Sequence, residues 1–309
     1  VQVPYFRPPY VNYSEIETHL REIVDSRVYT KGVFRDRLEE ALRERLNVNH
    51  AIACASGTAA LWIAMRVMRQ MYHCKYITMS AFNWGSDKIA AKAAGYRVEY
   101  VDIDPDTWLS EHWVPVASPH LTLDTFGSVD TSDCPGDMVV CDATHSLGAK
   151  DVGSRGIAEC FSMAATKPVT GGGEGGIITT NDRVFAQRCV ELRDLCARIP
   201  EMSCVVALEY LLHLDDMLAE KKKISDYYRK HLPYKFQEIT HDSTHSKICF
   251  LCDNSEKLIA RADKNGVECR KYYKPLCDMS NANYVYDHIV CLPAWIGVDP
   301  QAVVNAIQK

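Results

Sequence analysis

The stretch FSMAATKPVTGGGEGGIITTND, Phe161 to Asp182, holds one lysine, Lys167, between a short apolar run and a cluster of five glycines. Glycines at 171, 172, 173, 175 and 176 let the backbone turn sharply or pass close to another group. A lysine in such a setting can lose its water shell, which lowers its pKa and makes the amine a nucleophile toward carbonyls. A solvated lysine beside a flexible loop is the ordinary alternative. The surrounding chain decides between them.

From Asn49 onward the sequence alternates short apolar runs with helical ones. HAIACA, KYITMSA, RVEYVDID, DMVVCDA, AECFSMA and GGIITT read as strands; SGTAALWIAMRVM and SDKIAAKAAG read as helices. This β/α order predicts a mostly parallel sheet with helices on both faces. Residues 14–46 precede it as helix broken at Lys31-Gly32, with Leu38, Leu42 and Leu46 four residues apart. FAQRCVELRDLCARI and ALEYLLHLDDMLAEKKKISDYYRKHL follow as helices. The remainder reads as strand, helix, strand, strand, helix: SKICFLC, SEKLIARADKNG, VECRKYY, DHIVCLP and DPQAVVNAI. The expected division is a large α/β domain with its N-terminal segment over 1–232, and a small α+β domain over 233–309.

Composition narrows the function. The 309 residues are 47% hydrophobic and 24% charged, as in ordinary globular chains. A formal charge of −5 with both signs interspersed argues against nucleic acid as a partner, and Lys221-Lys222-Lys223 reads as a solvated helix face. No apolar run approaches the roughly 18 residues of a membrane span, and no secretory leader is read. Thirteen cysteines scattered through strand-like and helical runs fit free thiols in a reducing cytoplasm better than a disulfide framework. Cys249 and Cys252 have metal-like spacing but lie in an apolar run without a second matching pair, so no metal is expected. HExxH, P-loop and GxSxG patterns are absent.

Ligands of parallel α/β sheets gather at the carboxyl ends of the strands, and three segments place polar groups there. Ser56-Gly57-Thr58 follows a strand and opens a helix, which suits a phosphate, although Ser and Thr are also common caps. Asp142 ends the run MVVC, where a half-buried carboxylate asks for a cation or strong hydrogen bonds; an Asp turning the chain is the plainer reading. His145 follows three residues later and also suits a satisfied loop histidine. Ser162 and Lys167 complete the third segment. In that order the three match pyridoxal phosphate (PLP): phosphate anchor, pyridinium partner, Schiff-base lysine. A carboxylate against the ring nitrogen keeps it protonated and the ring an electron sink.

SGTAAL, VEYVDIDPDTW, CDATHSLGA, FSMAATKPVTGGGEGGIITTND and NGVECRKYYKPL together resemble the signature segments of the sugar aminotransferases of PLP fold type I, the DegT/StrS group. The opening YTKGVFRDRLEEALRERLNVNHAIACASGT resembles that family too, so the likeness covers nearly the whole chain. It implies that Lys167 forms the Schiff base and shuttles the proton, and that Asp142 pairs with the pyridinium nitrogen. Gly57, Thr58 and Ser162 would hold the phosphate. Trp84, in SAFNWGSD, would stack on the cofactor, a core Trp being the alternative, and His145 would lie near it. Family members work as homodimers with both active sites at the subunit interface.

Two segments depart from the family pattern. LRDLCARIPEMSCVVALEYL is abbreviated and lacks the Asn that reaches the partner's phosphate, leaving Ser203 as the nearest polar substitute. Tyr272-Tyr273-Lys274-Pro275-Leu276-Cys277 replaces both histidines of the family's substrate segment. The resemblance therefore implies an aminotransferase converting a keto-sugar, nucleotide-linked, to an amino sugar with glutamate or glutamine as donor, by a ping-pong route. Tyr272, Tyr273 and Lys274 are the candidate substrate residues. The rival readings are a sugar dehydratase of the same family, in which histidine replaces the lysine, and a PLP-binding regulatory protein without turnover.

Overall fold

The structure, a computed structural model, describes residues 3–9, 12–111, 118–131 and 138–309. Two helices lead in, α1 (Tyr13–Ser26) and α2 (Val33–Leu46), divided at the Lys31-Gly32 break. Phe34, Leu38, Leu42 and Leu46 form the buried face of α2, the stripe their spacing demands. No side chain beside it caps α2. Glu201 does so from far along the chain, accepting from Gly32 N at 2.9 Å and Phe34 N at 2.8 Å.

The main sheet comprises β1 (His50–Cys54), β2 (Tyr76–Ser80), β3 (Arg97–Val101), β4 (His120–Leu123), β5 (Val139–Asp142), β6 (Ala158–Ser162) and β7 (Gly176–Thr180). Their order is β1-β7-β6-β5-β4-β2-β3. β3, β2, β4, β5 and β6 pair in parallel, and β7 runs antiparallel between β6 and β1. The mostly parallel sheet is as expected, with one strand reversed. Six carboxyl ends therefore open on one edge.

Alternation divides two cores. Cys160 and Ile178 face a cluster with Ile63, Ala64 and Val67 of α3 (Gly57–Tyr72) and Phe185 of α5 (Arg183–Cys196). Phe161 and Ile177, each one residue away, face α2 and Val205 of α6 (Glu201–Leu212). Period-two side chains send neighbours to opposite faces, so β6 and β7 are buried throughout. α4 (Gly85–Ala93) follows β2, and α7 (Leu214–His231) leads on to a second sheet. That sheet orders β10 (Ile289–Leu292), β9 (Ile248–Leu251) and β8 (Lys235–Phe236) antiparallel. Tyr228 of α7, Leu258 of α8 (Ser255–Lys264) and Val303 of α10 (Pro300–Gln308) share its core with Phe250 and Val290.

Several expectations change. VECRKYY forms no strand; Val267 bridges Val3 and Arg270 bridges Cys291 singly. Its alternation is real, since Val267, Cys269 and Tyr273 are buried, but no continuous ladder accompanies it. The long helix read over 207–232 breaks at His213, and its first half begins earlier, at Glu201. β4 and α9 (Ser280–His288) go unread in the sequence: one has four residues, the other is SNANYVYDH, made largely of weak helix formers. Residue 137, first of the DMVVCDA run, lies outside the described residues. Among the described residues the cysteines are free, and Cys249 faces Cys291 across β9 and β10 rather than pairing with Cys252. No described helix is long and apolar enough to cross a membrane.

Candidate active site

The carboxyl edge of the main sheet holds a cavity of about 340 Å³. Gly57, Thr58, Trp84, Asp142, His145 and Ser162 line it, as do Lys167, Tyr272 and Tyr273. Of the residues singled out in the sequence, Lys274 is exposed and stands outside this lining. Ser203 lies on α6, against the Gly171 backbone.

Ser56 ends the turn after β1 and caps α3, its Oγ accepting from Ala59 N at 3.1 Å. The N–H groups of Gly57 and Thr58 remain for a ligand in the first turn. Gly57 is required there: a Cβ would stand 2.7 Å from Ser162 Cβ. Gly176 is equally constrained, because its Cβ would strike the Ser56 carbonyl. The start of β7 thus presses α3 against the end of β6, and this contact explains one of the five glycines.

Asp142, last residue of β5, is 2% exposed and accepts from Thr144 N at 2.9 Å through Oδ1. Lys167 follows a tight turn in which its N–H donates to the Ala164 carbonyl at 3.0 Å. Its Nζ lies 2.7 Å from His145 Nε2. Tyr273 Oη lies 3.1 Å from the same nitrogen, and Ser246 Oγ 2.7 Å from His145 Nδ1. Burial, then the charges of Lys167 and Lys247, hold the imidazole well below its usual pKa. A neutral ring that donates from Nδ1 to Ser246 and accepts at Nε2 satisfies all three contacts. Burial, reinforced by Lys247, pushes the Lys167 ammonium down to about 7. A sizeable share of neutral amine is then present at neutral pH.

Trp84 holds the residue position just before α4 and is 53% exposed, so it is no core tryptophan. Its ring stands at the cavity 5.9 Å from Tyr273 and 6.1 Å from Tyr272 between centroids. Among the lining residues that the sequence did not single out, Lys247 and Asp87 are chemically the most telling. Lys247, just before β9, lies 4.5 Å from the Tyr272 ring centre, with no carboxylate partner among the described residues. Asp87, in the first turn of α4, is 1% exposed. Burial, then Asp142, hold its carboxyl well above the usual carboxylate range. Its signal lay inside NWGSD, where an acid opening a helix resembles a cap.

A mostly parallel seven-stranded sheet with helices on both faces and a second sheet beside it is the architecture of PLP fold type I. More specifically, residues 12–112 and 132–307 match the DegT/DnrJ/EryC1/StrS aminotransferase family, and the chain belongs to it. The UDP-4-amino-4,6-dideoxy-N-acetyl-beta-L-altrosamine transaminase of Campylobacter jejuni is 24% identical over 319 residues, spanning 87% of this chain and 83% of the relative. PseC of Helicobacter pylori, an aminotransferase of pseudoaminic acid biosynthesis, superposes with a TM-score of 0.90 at 18% identity, over 100% of this chain and 99% of PseC. A GDP-4-keto-6-deoxymannose-3-dehydratase, ColD, superposes with a TM-score of 0.87 at 17% identity, over 99% and 100%. The fold therefore spans both transfer and dehydration.

Members of the family are PLP-dependent. The residues here fit that group. A buried carboxylate ends a strand, a depressed amine stands in the same cavity, a helix N-terminus opens beside them, and an indole is exposed above. The buried Asp87 Oδ2 also lacks any hydrogen-bond donor among the described residues.

Proposed function

We propose that the chain is a PLP-dependent aminotransferase that converts a nucleotide-linked keto-sugar to an amino sugar, with glutamate or glutamine as donor. The observation that carries this reading is the meeting of Lys167, Asp142 and the Gly57-Thr58 start of α3 in one cavity, from segments far apart in sequence. Bound PLP would supply an electron sink for charge developing at the donor or acceptor carbon.

The protein's own groups do the rest. Gly57 and Thr58 at the start of α3, with Ser162, hold the phosphate. The Asp142 carboxylate would hold the ring by pairing with its nitrogen. Trp84, exposed at the cavity, would pack against the cofactor. Lys167, poised near neutrality, would supply the amine that anchors the cofactor and the base that moves a proton at the substrate's reacting carbon. His145 keeps the Lys167 nitrogen aimed, since Ser246 and Tyr273 fix its ring. Donor and acceptor take turns in one cavity, which is a ping-pong order. Tyr272 and Tyr273 form the substrate wall; Lys274 is exposed outside this lining. Two such chains as a homodimer in the cytoplasm, and the division into 1–232 and 233–309, belong to the same proposal.

Lys167 in place of histidine supports transfer over dehydration. Purified protein with PLP should show a visible absorption band that Lys167→Ala lacks, and glutamate should bleach it. A wild-type protein that ignores added PLP refutes the reading. A band that glutamate leaves unchanged favours a binding protein without turnover, and loss of a sugar hydroxyl without nitrogen gain favours dehydration.

A further inference from the structure

We propose that Asp87 and Asp142 act as one acid pair sharing a single proton, with Asp87 donating its O–H to the Asp142 carboxylate and so fixing it toward the cofactor's ring nitrogen. This rests on the reading above. Asp87 is thereby a positioning residue that acts through Asp142.

The two side chains arrive from different elements, Asp87 from the first turn of α4 and Asp142 from the end of β5. Both line the cavity, and they are 1% and 2% exposed. Asp87 does not cap its own helix. Trp84 holds the capping position without a side-chain bond, and the donor to Asp87 Oδ1 is the Ser86 hydroxyl, at 3.1 Å. The other oxygen, Oδ2, is buried with no donor among the described residues. The Asp142 carboxyl is within hydrogen-bond reach of Asp87, and Asp142 Oδ1 is already engaged by Thr144 N. Two ionised carboxylates in contact inside a protein repel strongly, whereas one shared proton turns the contact into a short charge-assisted bond.

Charge balance points the same way. The groups facing the pair are Lys167 from the loop after β6, Cys160 of β6, and Tyr273. Burial lifts both Cys160 and Tyr273 above their usual values, so they stay neutral. Lys167 is the one cation among these groups, and burial already holds it close to neutrality. A single protonated ring nitrogen then faces the pair. One shared proton gives the pair a net charge of −1, which matches that cation; two bare carboxylates would leave an unmatched buried charge. The α4 N-terminus stabilises the remaining charge.

The test uses the full chain in two arms. Infrared difference spectroscopy at pH 7 should show a protonated-carboxyl band that Asp87→Asn removes. PLP titrations should place Asp87→Asn within about threefold of wild type, because its amide still donates to Asp142. Asp87→Ala, which has no donor, should bind about tenfold or more weakly. Circular dichroism and melting curves confirm that both variants fold. Absence of the band, or Asp87→Asn binding as weakly as Asp87→Ala, overturns the proposal. If wild-type protein fails to bind PLP, the proposed function falls, and the infrared band alone decides whether the proton is shared.

Discussion

The two walls of the cavity are built differently. The wall proposed to hold the cofactor is made where regular strands stop: Asp142 and Ser162 are terminal strand residues, and Gly57 begins a helix two residues after Ala55 leaves β1. The facing wall, Tyr272, Tyr273 and Lys247, comes from irregular chain beside the second sheet. Regular elements buried on both faces fix their ends through many contacts, whereas single bridges fix the facing wall at a few points. Substitutions on the first wall should abolish chemistry, and substitutions on the second should tune it.

The largest effect is expected at Lys167. Lys167→Ala should lower turnover by about 10³-fold or more, measured as amino-sugar formation, with an unchanged melting temperature. Asp142→Ala should weaken PLP binding by about a hundredfold, from loss of a buried charged partner, in an absorbance titration. Trp84→Ala should weaken it by roughly tenfold at most. Its exposed ring leaves stability untouched, so a large drop in melting temperature would mean that Trp84 belongs to the frame.

Lys247→Met tests the tuning wall. Lys247 adds to burial in depressing Lys167, so removing its charge should raise the Lys167 pKa from about 7. Less neutral amine is then present at pH 7, and the pH profile of PLP capture should move upward. A profile that stays in place or moves down contradicts the assigned role. The smallest functional effect is expected from Glu201→Ala, which leaves the first N–H groups of α2 uncapped. It should cost about 1–2 kcal/mol in urea unfolding while PLP affinity holds.

The same contrast governs what the sequence discloses. Lys167, Ser162, Asp142 and Gly57 sit in short contiguous motifs, and strand periodicity alone places three of them at carboxyl ends. The β/α alternation and the amphipathic face of α2 are local patterns as well. Asp87 and Lys247 are different, because each matters through a neighbour distant in sequence: Asp142 for one, Tyr272 and Lys167 for the other. Glu201 caps a helix some 167 residues earlier, which no window along the chain can reveal. VECRKYY misleads for the opposite reason, since its side chains alternate in burial while its backbone makes single bridges. Local pattern reports burial more faithfully than it reports pairing.

The central claim is that Lys167 is the cofactor's covalent anchor, and borohydride trapping with peptide mapping tests it most directly. After incubation with PLP and reduction, mass spectrometry is expected to find the pyridoxyl adduct on the peptide holding Lys167, and none when Lys167→Arg is treated alike. Stoichiometric adduct on Lys247 or Lys221 in place of Lys167, or no adduct at all, would contradict the account.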